Sequence, residues 1–248
     1  MSVRVIGVDA CKAGWVGISG ERRGYFGATI EQLISSAEQD GPLAVVAIDI
    51  PIGLPVDVPR QADVLARRLI GKRSSSVFST PVRAALLAAT HAEASALNRA
   101  ATGKGLSQQA YALRSKILEV DAWSRTTHHQ VIESHPELCF ATIAGHPLAH
   151  RKSTWAGVEE RRRILAAVGI AVPSDLGLAG ELAAVDDVLD AAAVSWTAQR
   201  HAEGRTGPLS GNFSPPGGHL FPHSASPLRR PDQPPWPAQV VGPCTKPD

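Results

Sequence analysis

Two aspartates, Asp9 and Asp49, each come directly after a run of aliphatic residues that is typical of a buried strand. The runs are residues 3–8 and residues 43–48. A charge beside a buried strand is costly unless a metal ion or hydrogen bonds compensate it. Because open α/β sheets place their ligands at the carboxyl ends of neighbouring strands, we expect both carboxylates at one sheet edge. They predict either a site where oxygen ligands hold a hard cation, or two separate caps on the turns that follow.

A further acidic group lies in the segment DDVLDAAA, residues 186–193. Asp187 and Asp190 are three positions apart, so a helix places both on one face. Like charges at this spacing destabilise a helix by roughly a few tenths of a kcal/mol, and a bound cation would offset that cost. Glu133 stands at the end of a short apolar run, and it is either another ligand or an ordinary edge glutamate. These acids together indicate a divalent-cation site.

The elements that must position these acids follow from the alternation of apolar runs and turn residues. Strands are predicted at residues 3–8, 15–18, 24–28, 43–48 and 130–133. The first three are expected to be antiparallel. A helix follows them, since Thr29 is a good N-cap and the next residues are apolar at helical spacing up to the stop at 40–42. We therefore expect an α/β fold, with a mixed sheet of about five strands flanked by helices.

Residues 57–126, after the fourth strand, are predicted to form a mainly helical insertion. Its helices are predicted at residues 61–70, at residues 81–101 and from Ser107 onward. A long alanine-rich helix is predicted at residues 180–201 and carries the two aspartates on one side. One domain is therefore expected over residues 1–207.

Composition limits the class of protein. The chain has 248 residues, of which 44% are hydrophobic and 19% charged, and this excludes a wholly disordered or collagen-like chain. Its formal charge of +2 gives no general signal for nucleic acid or membranes, so a polyanion site needs local clustering of basic residues. Three cysteines are too few, and odd in number, for a disulfide scaffold. Without a signal-peptide or membrane-span pattern, we expect a soluble cytoplasmic protein with no membrane association.

The segment 208–248 differs in composition from the rest of the chain. It holds 11 of the 19 prolines and almost no periodic apolar pattern, which predicts a disordered tail. Its PPWP stretch, residues 234–237, is either a polyproline ligand for a protein partner or part of a solvated tail. The sequence gives no indication of the oligomeric state.

Seven blocks, in order over about residues 3–205, resemble the domain-of-unknown-function family DUF429, a family of predicted RNase H-like nucleases. The blocks are GVDACKAGW (7–15), AIDIPIGLP (47–55), SSVF (75–78), GKGLSQQ (103–109), KILEVD (116–121), ESHPELCF (133–140) and DDVLDA (186–191). The resemblance implies a ribonuclease H-like fold. The order of strands and helix predicted above agrees with that topology.

The resemblance also implies a set of catalytic residues. RuvC-type resolvases, of the same superfold, use an Asp on the first strand, a Glu on the fourth strand and an Asp-x-x-Asp helix near the end; this chain has Asp at the fourth-strand position. The resemblance implies two-metal hydrolysis of phosphodiester bonds with Mg²⁺ or Mn²⁺, in which one ion activates a water and the other stabilises the leaving oxygen. The implied metal ligands are Asp9, Asp49, Asp187 and Asp190. The predicted catalytic residues are these four and Glu133.

Basic and hydroxyl residues near these acids are predicted to contact the phosphates of a nucleic acid. Lys12 either orients a phosphate or is a surface turn residue. The basic residues around 74–76 either bind the phosphate backbone of the nucleic acid or form a solvated helix face. Lys104 precedes a helix start at Ser107, where anions are favoured. The predicted substrate-binding residues are Lys12, Arg67, Lys72, Arg73, Ser75, Lys104 and Lys152.

Two other functions remain open at this point. An actin-like or sugar-kinase-like phosphotransferase shares the superfold and places strand-end aspartates around Mg-nucleotide, although about 200 ordered residues are short for its usual two copies. A non-catalytic regulator that binds nucleic acid or nucleotide is the second. Cys11 as a nucleophile, and His135 with Cys139 as metal ligands, compete with the interpretation of all three as buried residues.

Overall fold

Five strands form the central sheet of the protein, and the computed structural model describes residues 3–71, 76–208 and 238–240. The strands are β1 Val5–Cys11, β2 Gly14–Ser19, β3 Gly24–Gly27, β4 Val45–Ile48 and β5 Gln130–Glu133. Their order across the sheet is β3-β2-β1-β4-β5. The prediction of a mixed five-strand α/β sheet flanked by helices is confirmed.

Strand β1 is the centre of the sheet and pairs on both sides. It runs antiparallel to β2 and parallel to β4, while β2 and β3 are antiparallel and β4 and β5 parallel. Asp9 lies within β1 rather than after it, because β1 continues to Cys11 alongside β2. The parallel neighbour β4 ends opposite Val8, and the backbone N–H of Asp49 donates to the Val8 carbonyl at 3.0 Å. Both aspartates therefore stand at the carboxyl edge of the parallel strands.

Ten helices accompany the sheet in the described ranges. They are α1 Ile30–Glu38, α2 Gln61–Ile70, α3 Arg83–Leu86, α4 His91–Thr102, α5 Gln108–Ala112, α6 Arg114–Thr126, α7 Pro136–Ala144, α8 Trp155–Ala167, α9 Leu178–Leu182 and α10 Val185–Ala202. Since successive strand residues point to opposite faces, Ile6 and Val8 pack with α1 and α6, whereas Val5 packs with α10. Two layers of helices thus cover the two faces of the sheet.

Helix α10 lies directly against β1, and Gly7 permits this approach. A Cβ atom at Gly7 would lie 2.0 Å from the backbone nitrogen of Ser195 and 2.3 Å from the carbonyl oxygen of Ala191. The facing positions of α10 are small residues, so backbone meets backbone without an intervening side chain. This contact fixes the register of α10 on β1 and brings Asp187 and Asp190 to the edge where Asp9 lies.

Helices α2 to α6 form the predicted insertion between β4 and β5. The helix predicted over residues 81–101 is divided into α3 and α4, because the Thr90 side chain accepts from the backbone N–H of Glu93 and caps a new helix there. The predicted start at Ser107 is confirmed, with its hydroxyl accepting from the backbone N–H of Ala110. The helix predicted over residues 180–201 is likewise two helices, α9 and α10.

Helices α7 and α8, between β5 and α9, were not predicted. A charged residue interrupts the helical pattern of apolar residues in α8. Arg161 is fully buried there and is paired with Glu137 of α7. Because sequence patterns treat arginine as a surface residue, a helix whose buried face contains one lacks the expected signal.

A second, two-stranded sheet pairs Thr206–Pro208 with Ala238–Val240 in parallel. The rest of the predicted tail, including the PPWP stretch, lies outside the described residues. Over the described ranges, the helices are too short or too polar to cross a bilayer.

Candidate functional site

The carboxyl edge of β1, β4 and β5 gathers acidic residues from four elements. Asp9 comes from β1, Asp49 follows β4 and Glu133 ends β5. The first two turns of α10 add Asp187 and Asp190, together with Asp186. The structure therefore brings the predicted catalytic acids to one edge of the sheet.

The ionisation of Asp9 reflects this crowding. Its side chain is buried, and burial followed by the negative charges of Asp49 and Asp190 raises the pKa of Asp9 well above the ordinary value. One oxygen of Asp9 accepts from the backbone N–H of Ala10 at 2.7 Å. Asp9 is thus held in place by the strand, but its charge is compensated only in part.

Asp190 lies in a similar environment on α10. Burial raises the pKa of Asp190 to about 7, against the opposing attraction of Lys152. Its Oδ2 atom accepts from Lys152 Nζ at 2.7 Å, whereas its Oδ1 atom is buried and has no hydrogen-bond partner. Asp187 is more open, and burial together with Asp186 raises its pKa. A buried carboxylate oxygen without a partner is the kind of atom that a bound cation satisfies.

Lys152 is the cation already present in this acidic group. It belongs to the segment between α7 and α8, and its ammonium lies 2.7 Å from Asp190 Oδ2 and 3.3 Å from Asp186 Oδ2. Burial disfavours its charge, but the attraction of Asp190 outweighs burial and raises the pKa of Lys152. The sequence placed Lys152 among substrate contacts, and the structure places it on the carboxylates of α10.

A buried ionic network stands behind Asp49. Glu133 Oε2 accepts from the Ile52 backbone N–H at 2.8 Å and from the guanidinium of Arg60, which is itself 90% buried at its side chain. His135 lies between Glu133 Oε1, at 3.4 Å from its Nε2, and Asp49 Oδ1, at 3.6 Å from its Nδ1. Although burial alone would raise the pKa of Glu133, Arg60 and His135 hold it below its ordinary range.

His135 is charged in this network. Burial alone would lower its pKa, but contacts with Asp49 and Glu133 outweigh burial and raise the pKa of His135 to about 10. An imidazolium at this position orients Asp49 and balances the buried charge of Glu133. The role of His135 was missed because nothing in the local pattern HPE distinguishes a buried imidazolium from a metal ligand.

These acids fit a divalent cation in ligand type, although their oxygen atoms are not closely gathered. Asp49 has a 30% exposed side chain, so the edge is open to solvent, and Asp190 Oδ1 is unpartnered. Within the described ranges, the three acidic or imidazole ligand atoms that lie within 4.8 Å of one another belong to Glu38, His128 and His129 instead. Binding of an ion at the acidic edge therefore requires the carboxylates to move inward.

The predicted phosphate-binding residues are distributed over two places. Lys12 is exposed in the turn between β1 and β2, beside the acidic edge. Arg67 and Lys104 line a cavity of about 680 Å³ in the helical insertion, where Arg67 Nη1 also donates to the Val77 carbonyl at 2.6 Å. Lys72, Arg73 and Ser75 lie outside the described residues.

Hydrogen bonds connect this cavity to the acidic edge. Arg60, which pairs with Glu133, also donates to Thr80 Oγ1 at 3.0 Å. The backbone N–H of Thr80 donates to Asp63 Oδ2 at 2.6 Å, and both Thr80 and Asp63 line the cavity. Arg60 therefore connects the interior of the insertion to Glu133 at the acidic edge.

The cysteines near the edge have no sign of nucleophilic chemistry. Cys139 is buried, with its sulfur 3.2 Å from Ser134 Oγ and 3.1 Å from Thr197 Oγ1. Burial raises the pKa of the Cys139 thiol to about 11, which keeps it protonated at neutral pH. Cys11 is also buried and unpaired at the end of β1.

Comparison with known proteins gives one match. The family described as "Protein of unknown function (DUF429)" matches residues 7–214, which is most of the chain. No curated protein and no solved structure gives a significant match.

Proposed function

The chain belongs to the DUF429 family, and on the geometry of its acidic edge we propose that it is a metal-dependent phosphodiester hydrolase acting on nucleic acid. One observation carries the proposal. Asp9 of β1 and Asp190 of α10 are both buried at the carboxyl edge of the sheet and both have a raised pKa, and the negative charge of Asp190 is one of the causes that raise the pKa of Asp9. Burying like charges in this way lowers the stability of the fold, and a bound divalent cation would offset that loss.

Asp9, Asp49, Asp187 and Asp190 are the residues that would hold Mg²⁺ or Mn²⁺, in one or two positions, since all four offer carboxylate oxygens to these hard ions. When bound, such ions supply an activated water and stabilise the leaving oxygen of a phosphodiester. The unpartnered Asp190 Oδ1 supports this assignment. The partial exposure of Asp49 supports an open side for substrate.

The surrounding residues position these ligands. His135 forms an ion pair with Asp49 from the interior, as groups behind a metal ligand commonly do. Glu133 forms an ion pair with the other ring nitrogen of His135, and Arg60 in turn pairs with Glu133. Glu133 is therefore assigned a positioning role rather than direct ligation. Lys152 balances Asp186 and Asp190 on the outer side of α10, where its ammonium can also attract a phosphate.

The sheet order β3-β2-β1-β4-β5, with β2 antiparallel to β1 and with β4 and β5 parallel to it, supports a ribonuclease H-like fold. In this arrangement the first and fourth strands are neighbours, so an acid from each lies at the same edge. Lys12 beside this edge, and Arg67 with Lys104 in the cavity, are the proposed phosphate contacts.

The test is cleavage of labelled single-stranded, double-stranded, RNA–DNA hybrid and branched substrates with Mg²⁺ or Mn²⁺. Asp9→Asn is compared with wild type, and Glu181→Gln, an exposed change in α9, is the matched control purified in the same way. We expect cleavage by wild type and by Glu181→Gln, and at least a hundredfold loss in Asp9→Asn. Equal cleavage by all three proteins indicates a contaminating nuclease, and no cleavage by any of them contradicts the proposal.

A further inference from the structure

A second group of ligand-bearing side chains lies at the opposite edge of the sheet. Glu38 is the last residue of α1, and His128 and His129 directly precede β5. One ligand atom from each lies within 4.8 Å of the other two. Since β5 ends at Glu133, about 13 Å of strand separates this group from the acidic edge, so the two belong to different sites.

His129 is held in a fixed orientation. Its side chain is only 4% exposed, and its ring stacks on Trp123 with ring centres 6.0 Å apart. One ring nitrogen, Nδ1, lies 2.7 Å from Thr127 Oγ1, and the other, Nε2, lies 2.9 Å from Glu38 Oε1. A carboxylate can only accept, so in the protein without an ion Nε2–H donates to Glu38. When an ion replaces that proton, Nε2 offers its lone pair to the ion and the ring keeps its proton on Nδ1, whose N–H then hydrogen-bonds to the Thr127 hydroxyl. A hydrogen bond on the far ring nitrogen is the usual support of a metal-bound histidine.

Glu38 and His128 complete the group from two directions. Glu38 Oε1 lies 2.9 Å from His129 Nε2, and the Glu38 side chain is 29% exposed, so its carboxylate already faces the imidazole and can still be reached from solvent. The ring of His128 is exposed and lies 4.0 Å from the ring of His129, centre to centre. The group therefore has one buried, one half-buried and one solvent-facing ligand.

We propose that Glu38, His128 and His129 form a binding site for Zn²⁺, with water in the remaining position. Two imidazoles and one carboxylate are the ligand number and type that zinc accepts in sites that keep one position open. Imidazole nitrogen favours zinc and the neighbouring transition metals over Mg²⁺, which prefers oxygen ligands. The site at this edge is therefore chemically distinct from the acidic edge.

The distances allow an ion with small adjustments. A tetrahedral zinc ion with bonds of about 2.0 Å spaces its ligand atoms roughly 3.3 Å apart. The Glu38 and His129 atoms, now 2.9 Å apart, must separate by a few tenths of an ångström, and His128, which faces solvent, closes toward them. The proton between Glu38 and His129 leaves when the ion binds.

The effect of the ion would be to join two elements rather than to supply chemistry at the acidic edge. Glu38 belongs to the end of α1, while both histidines belong to the segment that connects α6 to β5. Zinc bound to all three would tie α1 to the start of the edge strand β5. A ligand that binds only the folded protein raises its melting temperature, so zinc is expected to stabilise the fold.

The experiment is a zinc titration of the chelator-treated full chain, followed by calorimetry and by the shift in melting temperature. The variants are His128→Ala and Glu38→Gln, neither of which removes a fully buried side chain. His150→Ala is the matched control, because His150 is an exposed histidine in the segment between α7 and α8 and does not belong to this group. We expect wild type and His150→Ala to bind one zinc ion with the same affinity and shift, and both site variants to lose at least tenfold in affinity.

Two results would overturn the proposal. One is the absence of zinc binding by wild type, and the other is binding that is unchanged in His128→Ala and Glu38→Gln, which would assign the ion to other histidines. Asp9→Asn separates this site from the acidic edge: it is expected to lose Mg²⁺ or Mn²⁺ binding and to keep zinc binding. Failure of either proposal therefore leaves the other intact.

Discussion

Asp9 lies in surroundings that favour its neutral form. Because the folded protein binds the Asp9 proton more tightly than the unfolded chain does, stability falls as the pH rises from about 4 through the raised pKa of the folded state. The ionised form therefore destabilises the protein at neutral pH. Residues that lower the stability of the folded protein in this way are common at functional sites.

Asp9→Asn is therefore expected to stabilise the protein while it removes activity. The amide oxygen can still accept from the Ala10 backbone, and the loss of charge should raise the free energy of unfolding by about 1 kcal/mol at pH 8. Thermal unfolding measured at pH 5 and pH 8 checks this, with a larger gain expected at pH 8. A variant less stable than wild type at both pH values would contradict this view of the edge.

His135 predicts the opposite dependence on pH. Its pKa of about 10 in the folded protein lies above the unfolded value near 6.5, so its stabilisation is fully present below pH 6.5 and is lost as the pH rises through 10. His135→Gln should lower the free energy of unfolding by about 3 kcal/mol at pH 6.5, because it removes the positive charge between Asp49 and Glu133 and leaves Glu133 with Arg60 alone.

Denaturant unfolding of His135→Gln and wild type between pH 6.5 and pH 10 tests this. The difference between the two proteins is expected to shrink steadily with pH. His150→Gln serves as the control, since His150 is exposed and lies outside this network. A constant difference across the range would mean that His135 acts by packing rather than by its charge.

At the scale of elements, the contact between β1 and α10 depends on Gly7. A methyl group there would meet the backbone of Ser195 at 2.0 Å, and a backbone cannot rotate away as a side chain can. Gly7→Ala should therefore displace α10, with a loss of about 3 kcal/mol or more in stability and a loss of metal binding at the acidic edge.

Gly180→Ala is the matched control for Gly7→Ala. A Cβ at Gly180, inside α9, meets only the Leu176 Cβ at 3.4 Å, and alanine is the better helix former, so this change should be neutral or stabilising. Urea unfolding of the two variants makes the comparison. Similar stabilities for both would show that α10 tolerates a shift on the sheet.

The strands and the helices with strong caps could be predicted from sequence, because their signals are local. The aliphatic runs of β1 and β4 and the caps at Thr29 and Ser107 are examples. Helices α7 and α8 escaped prediction because their buried faces include the Glu137–Arg161 pair, which only tertiary contact explains. The division of the 81–101 segment at Thr90 was missed because a threonine cap inside an alanine-rich run resembles an ordinary helical position.

The placement of the acids in the candidate site could be predicted in part for the same reason. The acids at positions 9, 49, 187 and 190 could be identified as candidate site residues, because strand ends and helical spacing are visible in the local sequence. The charge partners were not visible: Lys152 comes from an irregular segment, and Arg60 reaches Glu133 from the start of a helix 73 positions earlier in the chain. Pairings at such separations follow from the fold and have no local sequence signature.

At the scale of the whole molecule, the acidic edge couples metal binding to stability. Mg²⁺ or Mn²⁺ that binds only the folded protein should raise its melting temperature, and a concentration a hundred times the dissociation constant contributes about 2.7 kcal/mol. The same ions should leave Asp9→Asn nearly unchanged, so the stability advantage of that variant should disappear when metal is added.

Differential scanning calorimetry of wild type and Asp9→Asn, with and without Mg²⁺, measures this coupling. Glu181→Gln, with an exposed side chain on α9, should respond to Mg²⁺ as wild type does. An equal rise in all three proteins would place the ion away from Asp9. The proposal for the acidic edge would then need different ligands.

The packing of α10 on β1 also has a consequence for how the chain is made. Residues 12–184 lie between the central strand β1 and the helix α10 that covers it, so the strand leaves the ribosome long before the helix does. One face of the nascent sheet therefore stays exposed to solvent until α10 has been synthesised. Contacts between segments that are far apart in sequence also form slowly. We expect ribosome-bound chains that stop before residue 185 to be sensitive to protease and to recruit chaperones, and chains that expose all of α10 to become resistant.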